Sequence, residues 1–115
     1  MVEEKFGAFI RARREEKKIG LREMAKLIAV SPTYMSKVER DDFPPPTEDK
    51  VKKIAEIINI DVDELLALAG RVASDLASII RKQPREMASF LRAAKGLTAE
   101  ELSKLSRAAN KAKEK

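Results

Sequence analysis

The chain contains no cysteine and no histidine. That removes the usual zinc ligands, the thiol nucleophile, the imidazole base and every disulfide, and with them most metal and covalent-catalytic sites; neither a metal nor a cofactor is expected. Among the residues that remain, no carboxylate pair, Gly-rich phosphate loop or nucleophile with a base stands out, which makes an enzyme the weakest class. Aromatics are scarce. Four Phe, one Tyr and no Trp leave little for the base-stacking platforms common in single-strand and RNA binders. Long apolar runs are also missing: the longest, Leu65 to Gly70, is far short of a bilayer span, and the N-terminus opens with Glu3 and Glu4 rather than a basic and then apolar signal. A cytoplasmic protein with no membrane role is the expectation.

What is present is charge, and its distribution matters more than the net of +5. Residues 1 to 40 carry 10 Lys or Arg against 6 Asp or Glu, residues 41 to 70 carry 3 against 8, and residues 71 to 115 carry 11 against 5. A basic first segment attracts phosphate, while an acidic middle keeps the other side of a domain off a polyanion; solvated helix faces are the plainer reading.

With only four Gly and five Pro, the chain reads as all-α. The strongest break is Pro44-Pro45-Pro46, which separates two runs of helical rather than hairpin periodicity. Phe6, Phe9 and Ile10 share a face of a first helix reaching about Lys17, and a second helix from about Leu21 to Ile28 buries Met24, Ala25 and Ile28. Ser31 is placed to cap a third helix, with Pro32 in its first turn, that continues to about Arg40. Thr47 can cap a fourth, where Val51, Ile54, Ala55 and Ile58 recur at i, i+3, i+4 and i+7. Asp61 with Glu64 imitates a capping box before Leu65, Leu66 and Leu68, and Gly70 is placed to end that fifth helix in a left-handed turn.

The remaining residues keep the helical period in Val72, Leu76, Ile79 and Ile80, then in Met87, Phe90, Leu91 and Ala94 after Pro84. Gly96 and a Thr98–Glu101 capping box precede Leu102 and Leu105. Two or three short helices follow from this, with fraying expected from Asn110 to Lys115. Each stripe is too narrow to build an independent core, so it must pack on the first domain or on another chain.

The stretch that carries chemistry is Leu21 to Arg40. Two short helices joined by Ala29-Val30-Ser31 are what a helix-turn-helix requires. At about 100° per residue from Thr33, Lys37 falls near 40°, Arg40 near −20° and Ser36 near −60°, while Met35 and Val38 fall near 200° and 140°. One face is hydrogen-bonding and cationic, the other apolar. Such a helix can rest on Met35 and Val38 while Thr33, Ser36 and Lys37 meet base edges in a major groove. Lys37 suits guanine O6 or N7, Thr33 offers a hydroxyl and a methyl, and Arg40 suits a phosphate; Pro32 and Tyr34 flank the helix start. An ordinary amphipathic surface helix has the same two faces.

Taken together, Arg14, Ile19, Leu21-Arg22-Glu23-Met24-Ala25, Val30-Ser31-Pro32, Met35-Ser36-Lys37-Val38-Glu39-Arg40, and the run from Ile54-Ala55 to Asp61-Val62-Asp63-Glu64-Leu65-Leu66 resemble the Xre or Cro/repressor-type helix-turn-helix domain of bacterial and phage transcriptional regulators. The resemblance spans about residues 5 to 69. It implies a five-helix Cro/repressor-like DNA-binding domain in residues 1 to 70, with Pro32, Thr33, Ser36 and Lys37 at the base-contacting positions. Gly20 and Leu21 match positions that approach the phosphate backbone, where Arg22, Ser31, Tyr34 and Arg40 are further backbone contacts. Leu21 stands where many members carry Gln, which shifts the contact to Arg22 or to main-chain N–H groups. Ala29 stands where Gly is frequent, implying either mild left-handed strain or a different link. Arg14 and Glu39 match an ion pair that bridges the first and third helices. Asp41-Asp42-Phe43-Pro44-Pro45-Pro46 looks like a variant loop of one branch of the family, with Phe43 anchored on the core and the acids pointing away.

Such domains act in pairs, because one module reads too few base pairs. The expected partners are therefore double-stranded DNA and a second copy of the chain. Residues 71 to 115 then form a C-terminal extension whose dimer interface is Leu76, Ile79, Ile80, Met87, Phe90 and Leu91, capped by Leu102 and Leu105, with packing back on the same domain as the alternative. Arg107, Lys111, Lys113 and Lys115 suggest a basic arm, or simply a solvated tail. The leading expectation is a sequence-specific homodimeric repressor reading a short palindromic operator. The alternative is an antitoxin-like or adaptor protein whose C-terminal helices bind a protein partner.

Overall fold

The computed structural model describes residues 5–114, and every regular element among them is helical. Glu3, Glu4 and Lys115 lie outside the described residues. The chain divides into two compact units, Met1–Ser74 and Asp75–Lys115.

The first unit holds α1 (Phe6–Glu16), α2 (Leu21–Leu27), α3 (Pro32–Glu39), α4 (Glu48–Ile58) and α5 (Val62–Leu68). Its core follows the apolar periods: Phe6 and Ile10 from α1, Met24 and Ala25 from α2, Met35 and Val38 from α3, Val51, Ile54, Ala55 and Ile58 from α4, and Leu65 and Leu66 from α5 are buried together. Each large side chain so buried contributes roughly 1.5–3 kcal/mol relative to exposure. Ser31 Oγ accepts the Tyr34 N–H at 3.1 Å and Asp61 Oδ2 accepts the Glu64 N–H at 3.0 Å, so two of the three caps anticipated in this unit are made, the second without the return bond from Glu64 that would complete a capping box. Thr47 occupies the N-cap of α4 without a side-chain capping bond. Asn59 and Gly70 close α4 and α5 with φ of 58° and 73°, letting the Ile60 and Arg71 N–H groups reach back to the Ala55 and Leu66 carbonyls at 2.9 Å each.

The first unit continues past the expected boundary at Gly70. The Arg71 guanidinium donates to the Pro45 and Pro46 carbonyls, Ala73 is buried, and the Ser74 N–H and hydroxyl donate to the Glu48 carboxylate at 3.0 and 3.1 Å. Lys52 and these Ser74 contacts hold the Glu48 carboxyl below its ordinary range. Arg71, Ala73 and Ser74, which sequence reasoning gave to the extension, are thus held by the loop, the core and α4 respectively.

After this tether come α6 (Ser74–Lys82), α7 (Pro84–Ala94) and α8 (Ala99–Lys113). Pro84 sits in the first turn of α7. Gly96, at φ 89°, turns the chain toward α8. There Thr98 Oγ1 accepts the Glu101 N–H at 3.1 Å and Glu101 Oε1 accepts the Thr98 N–H at 2.9 Å. The bond from the Thr98 N–H lowers the Glu101 pKa. Fraying from Asn110 is not what the structure shows: α8 runs to Lys113, with Lys111 and Lys113 in its last turn, where cations complement the helix dipole. No residue of α6, α7 or α8 is buried.

Candidate nucleic-acid interface

The link between α2 and α3 is tight because Ala29 takes the left-handed conformation, φ 59°. The Ala29 N–H then donates to the Lys26 carbonyl at 3.1 Å and the Val30 N–H to the Ala25 carbonyl at 2.9 Å. From α4, the Lys50 ammonium donates to the Ile28 carbonyl at 2.7 Å. Of the two readings left open for this position, left-handed strain is the one observed. A non-Gly residue there costs about 1–2 kcal/mol, offset by the extra unfolded-state entropy of Gly, about 0.4–1 kcal/mol. Ala29→Gly is therefore expected to stabilise the domain by about 0.5–1 kcal/mol, read as a melting temperature a few degrees higher; an unchanged or lower value would mean the turn is not strained.

Helix α3 divides as the wheel anticipated. Met35 and Val38 are 0% and 1% exposed. Thr33 is exposed and Pro32, Ser36 and Lys37 are half-buried. Of the backbone-contact candidates, Gly20, Arg22, Ser31 and Arg40 are exposed and Tyr34 is half-buried. Leu21 packs partly on the core, which leaves its main-chain N–H as the group available to a phosphate.

Behind this face lies the Arg14–Glu39 pair. Arg14 Nε and Nη2 donate to the two Glu39 carboxylate oxygens at 2.7 and 2.9 Å, and Nη1 donates to the Ile19 carbonyl at 2.7 Å. Both residues are buried, at 8% and 5% exposure. The hydrogen bond to Glu39 raises the guanidinium pKa. The pair forms part of the lining of a cleft completed by Arg11, Leu21, Ser36 and Arg40. Arg11 was missed by sequence reasoning, although it lies three residues before Arg14 and so on the same helical face. Arg11 and Arg40 each carry an exposed carboxylate partner, Glu15 at 3.6 Å and Asp42 at 3.5 Å. Exposed pairs of this kind hold their cations weakly.

The loop after α3 departs from expectation at Phe43. Phe43 is not anchored in the core: it is 40% exposed, with its ring 5.9 Å from that of Tyr34 and the Lys37 ammonium 5.0 Å from its centroid. Asp41, one of the two acids expected to point away, is engaged with α1. At φ 61° its carboxylate accepts the Gly7 N–H at 2.8 Å and the Ala8 N–H at 3.3 Å, capping α1 from across the domain.

In the second unit, Leu76, Ile79, Phe90, Leu91, Leu102 and Leu105 are exposed, and Ile80 and Met87 are half-buried. Arg107, Lys111 and Lys113 lie on α8 rather than on an irregular arm. Among the described residues there is no acidic cluster able to hold a metal ion, and no helix is long and apolar enough to cross a membrane.

A family model described as a helix-turn-helix domain matches residues 7–71. The ImmF control region 10 kDa protein of Bacillus phage phi105 is 39% identical over 61 residues, covering 53% of this chain and 67% of the phage protein. An uncharacterized HTH-type transcriptional regulator of Mycobacterium tuberculosis (strain CDC 1551 / Oshkosh) is 32% identical over 75 residues, 65% of this chain and 53% of the relative, so the chain spans about half of that protein's length. The solution structure of the DNA-binding domain of the P22 c2 repressor superposes with a TM-score of 0.51 at 29% identity, over 57% of this chain and 86% of that one.

Proposed function

Because the chain belongs to the Xre/Cro-type family of helix-turn-helix DNA-binding transcription regulators, we propose that it acts as a homodimeric repressor reading a short palindromic operator through the major groove. The observation that carries this reading is the division of α3: two apolar side chains hold it from behind while Thr33, Ser36 and Lys37 share the opposite face. In this reading Pro32, Thr33, Ser36 and Lys37 contact bases. Gly20, Arg22, Ser31, Tyr34 and Arg40, the Leu21 main chain and the newly recognised Arg11 contact the sugar-phosphate backbone. No cofactor or enzymatic step takes part, and the protein works in the cytoplasm.

Pairing is assigned to the second unit, to the stripes Leu76, Ile79, Ile80 and Met87, Phe90, Leu91, of which Leu76, Ile79, Phe90 and Leu91 are exposed. Exposed apolar faces of this kind call for a partner. The same exposure also suits an antitoxin-like or adaptor protein whose C-terminal helices hold a different protein.

Selection from random duplexes at fixed salt tests the reading. The expected product is a two-fold motif with half-sites about 34 Å apart, whose base preference is lost in Thr33→Ala/Lys37→Ala while weak salt-dependent binding persists. Absence of any enriched duplex overturns it. For the pairing, Ile79→Asp/Phe90→Asp is expected to halve the solution mass. A dimer that survives both substitutions removes these helices from the interface, and a wild-type monomer that co-purifies with one stoichiometric small protein favours the adaptor version.

A further inference from the structure

We propose that Phe43, which lies outside the recognition helix, is a specificity-determining residue that fixes where the Lys37 ammonium can reach. The inference rests on the reading of α3 as the base-contacting helix. Three observations converge on it. The Lys37 ammonium lies 5.0 Å from the Phe43 ring centroid, and no salt bridge involves Lys37 among the described residues. The Asp42 and Phe43 N–H groups both donate to the Lys37 carbonyl, at 2.9 and 3.3 Å, so the ring is fastened to the main chain of the very residue whose charge it carries. Tyr34, one helical turn before Lys37, packs on the same ring at a tilt of 47°.

The platform is rigid from its other side as well. Phe43 runs into three consecutive prolines, whose backbone torsions are restricted, and the carbonyls of Pro45 and Pro46 are held by the Arg71 guanidinium. An aromatic side chain left 40% exposed on so constrained a loop contributes little to the core, and its position beside a base-reading cation gives it another use. A free lysine is a point charge on a flexible four-carbon stem, and beside DNA the nearest strong attractor is a phosphate rather than a base edge. Resting on the negative face of the ring, the ammonium loses much of that arc. It is released only over the short distance to the base edge in front of α3. The ring thereby converts a nonspecific phosphate contact into a directional one.

The test compares duplex selection for wild type, Lys37→Ala, Phe43→Ala, Phe43→Leu and Phe43→Tyr in the full chain at one salt concentration, with thermal melts as the control for folding. Lys37→Ala identifies the base position that Lys37 reads. At that position Phe43→Ala and Phe43→Leu are expected to reduce the preference about three- to fivefold, the range of a surface cation–π contact. Nonspecific affinity should stay the same or rise, and Phe43→Tyr should keep the wild-type preference. A preference unchanged in both Phe43→Ala and Phe43→Leu overturns the inference. So does an even loss at every position, which would mark the ring as packing alone, and so does a Lys37→Ala variant that changes no position. Failure of the wild-type chain to select any motif is a different result, and it sinks the DNA-reading assignment itself.

Discussion

Gly7→Ala is expected to cost about 3 kcal/mol of stability and to abolish specific DNA binding. A Cβ at Gly7 would sit 2.2 Å from the Val38 carbonyl oxygen and 2.8 Å from that of Glu39, both main-chain atoms at the end of α3, and 2.7 Å from the Asp41 carboxylate. Main chain cannot swing aside as the tip of a long side chain can, so α1 and α3 must separate. Overpacking of this kind costs about 1–3 kcal/mol. The capping bonds from Gly7 and Ala8 to Asp41 would stretch at the same time, and charged hydrogen bonds contribute about 1.5–3 kcal/mol each. Against this, replacing a helical glycine by alanine gains only about 1 kcal/mol of helix propensity. The clash wins. Gly20→Ala supplies the contrast: nothing lies within 4 Å of a Cβ there, and the expected cost is under about 1 kcal/mol. Denaturant titration of the two variants checks the difference. A Gly7→Ala protein as stable as wild type would show that the close approach of α1 to α3 is dispensable.

Gly7 also shows why part of the fold was hidden in the sequence. The stripes of α4, the Ser31 and Asp61 caps and the Thr98–Glu101 box were legible because each depends on residues three or four apart, whose geometry a helix fixes in advance. The division of α3 was legible for the same reason. Gly7 with Asp41, Lys50 with the α2–α3 turn, and Arg71 with Pro45 and Pro46 each join residues more than 20 positions apart. Nothing local marks such pairings. Phe43 read as a core anchor because its residue type favours burial, and its contact with Tyr34, nine positions back, is not legible locally. Arg11 is the instructive omission, since the helical wheel that exposed α3 would have found it on α1.

Removing Arg14 is expected to have the largest effect of any single polar substitution, about 3–5 kcal/mol for breaking a buried ion pair. In Arg14→Ala the Glu39 carboxylate, 5% exposed in the intact domain, loses both of its guanidinium donors, and the Ile19 carbonyl loses its 2.7 Å donor as well. The guanidinium pKa is raised by the hydrogen bond to Glu39, so its contribution is fully present below the ordinary arginine value and is lost only as pH rises through the raised one. The deficit in the variant should therefore not be relieved anywhere from neutral to mildly alkaline pH. Arg14→Lys keeps the charge but not the two parallel bonds and should recover only part of the loss. The double variant Arg14→Met/Glu39→Leu separates stability from position: with no charge left buried, its melting temperature should return close to wild type. Specific binding should remain weak, because α3 would be held by adaptable apolar contacts rather than by two directional bonds from α1. If the double variant bound its operator as tightly as wild type, the pair would contribute stability without setting the pose of α3. An Arg14→Ala protein with unchanged melting temperature and unchanged operator affinity would remove both roles.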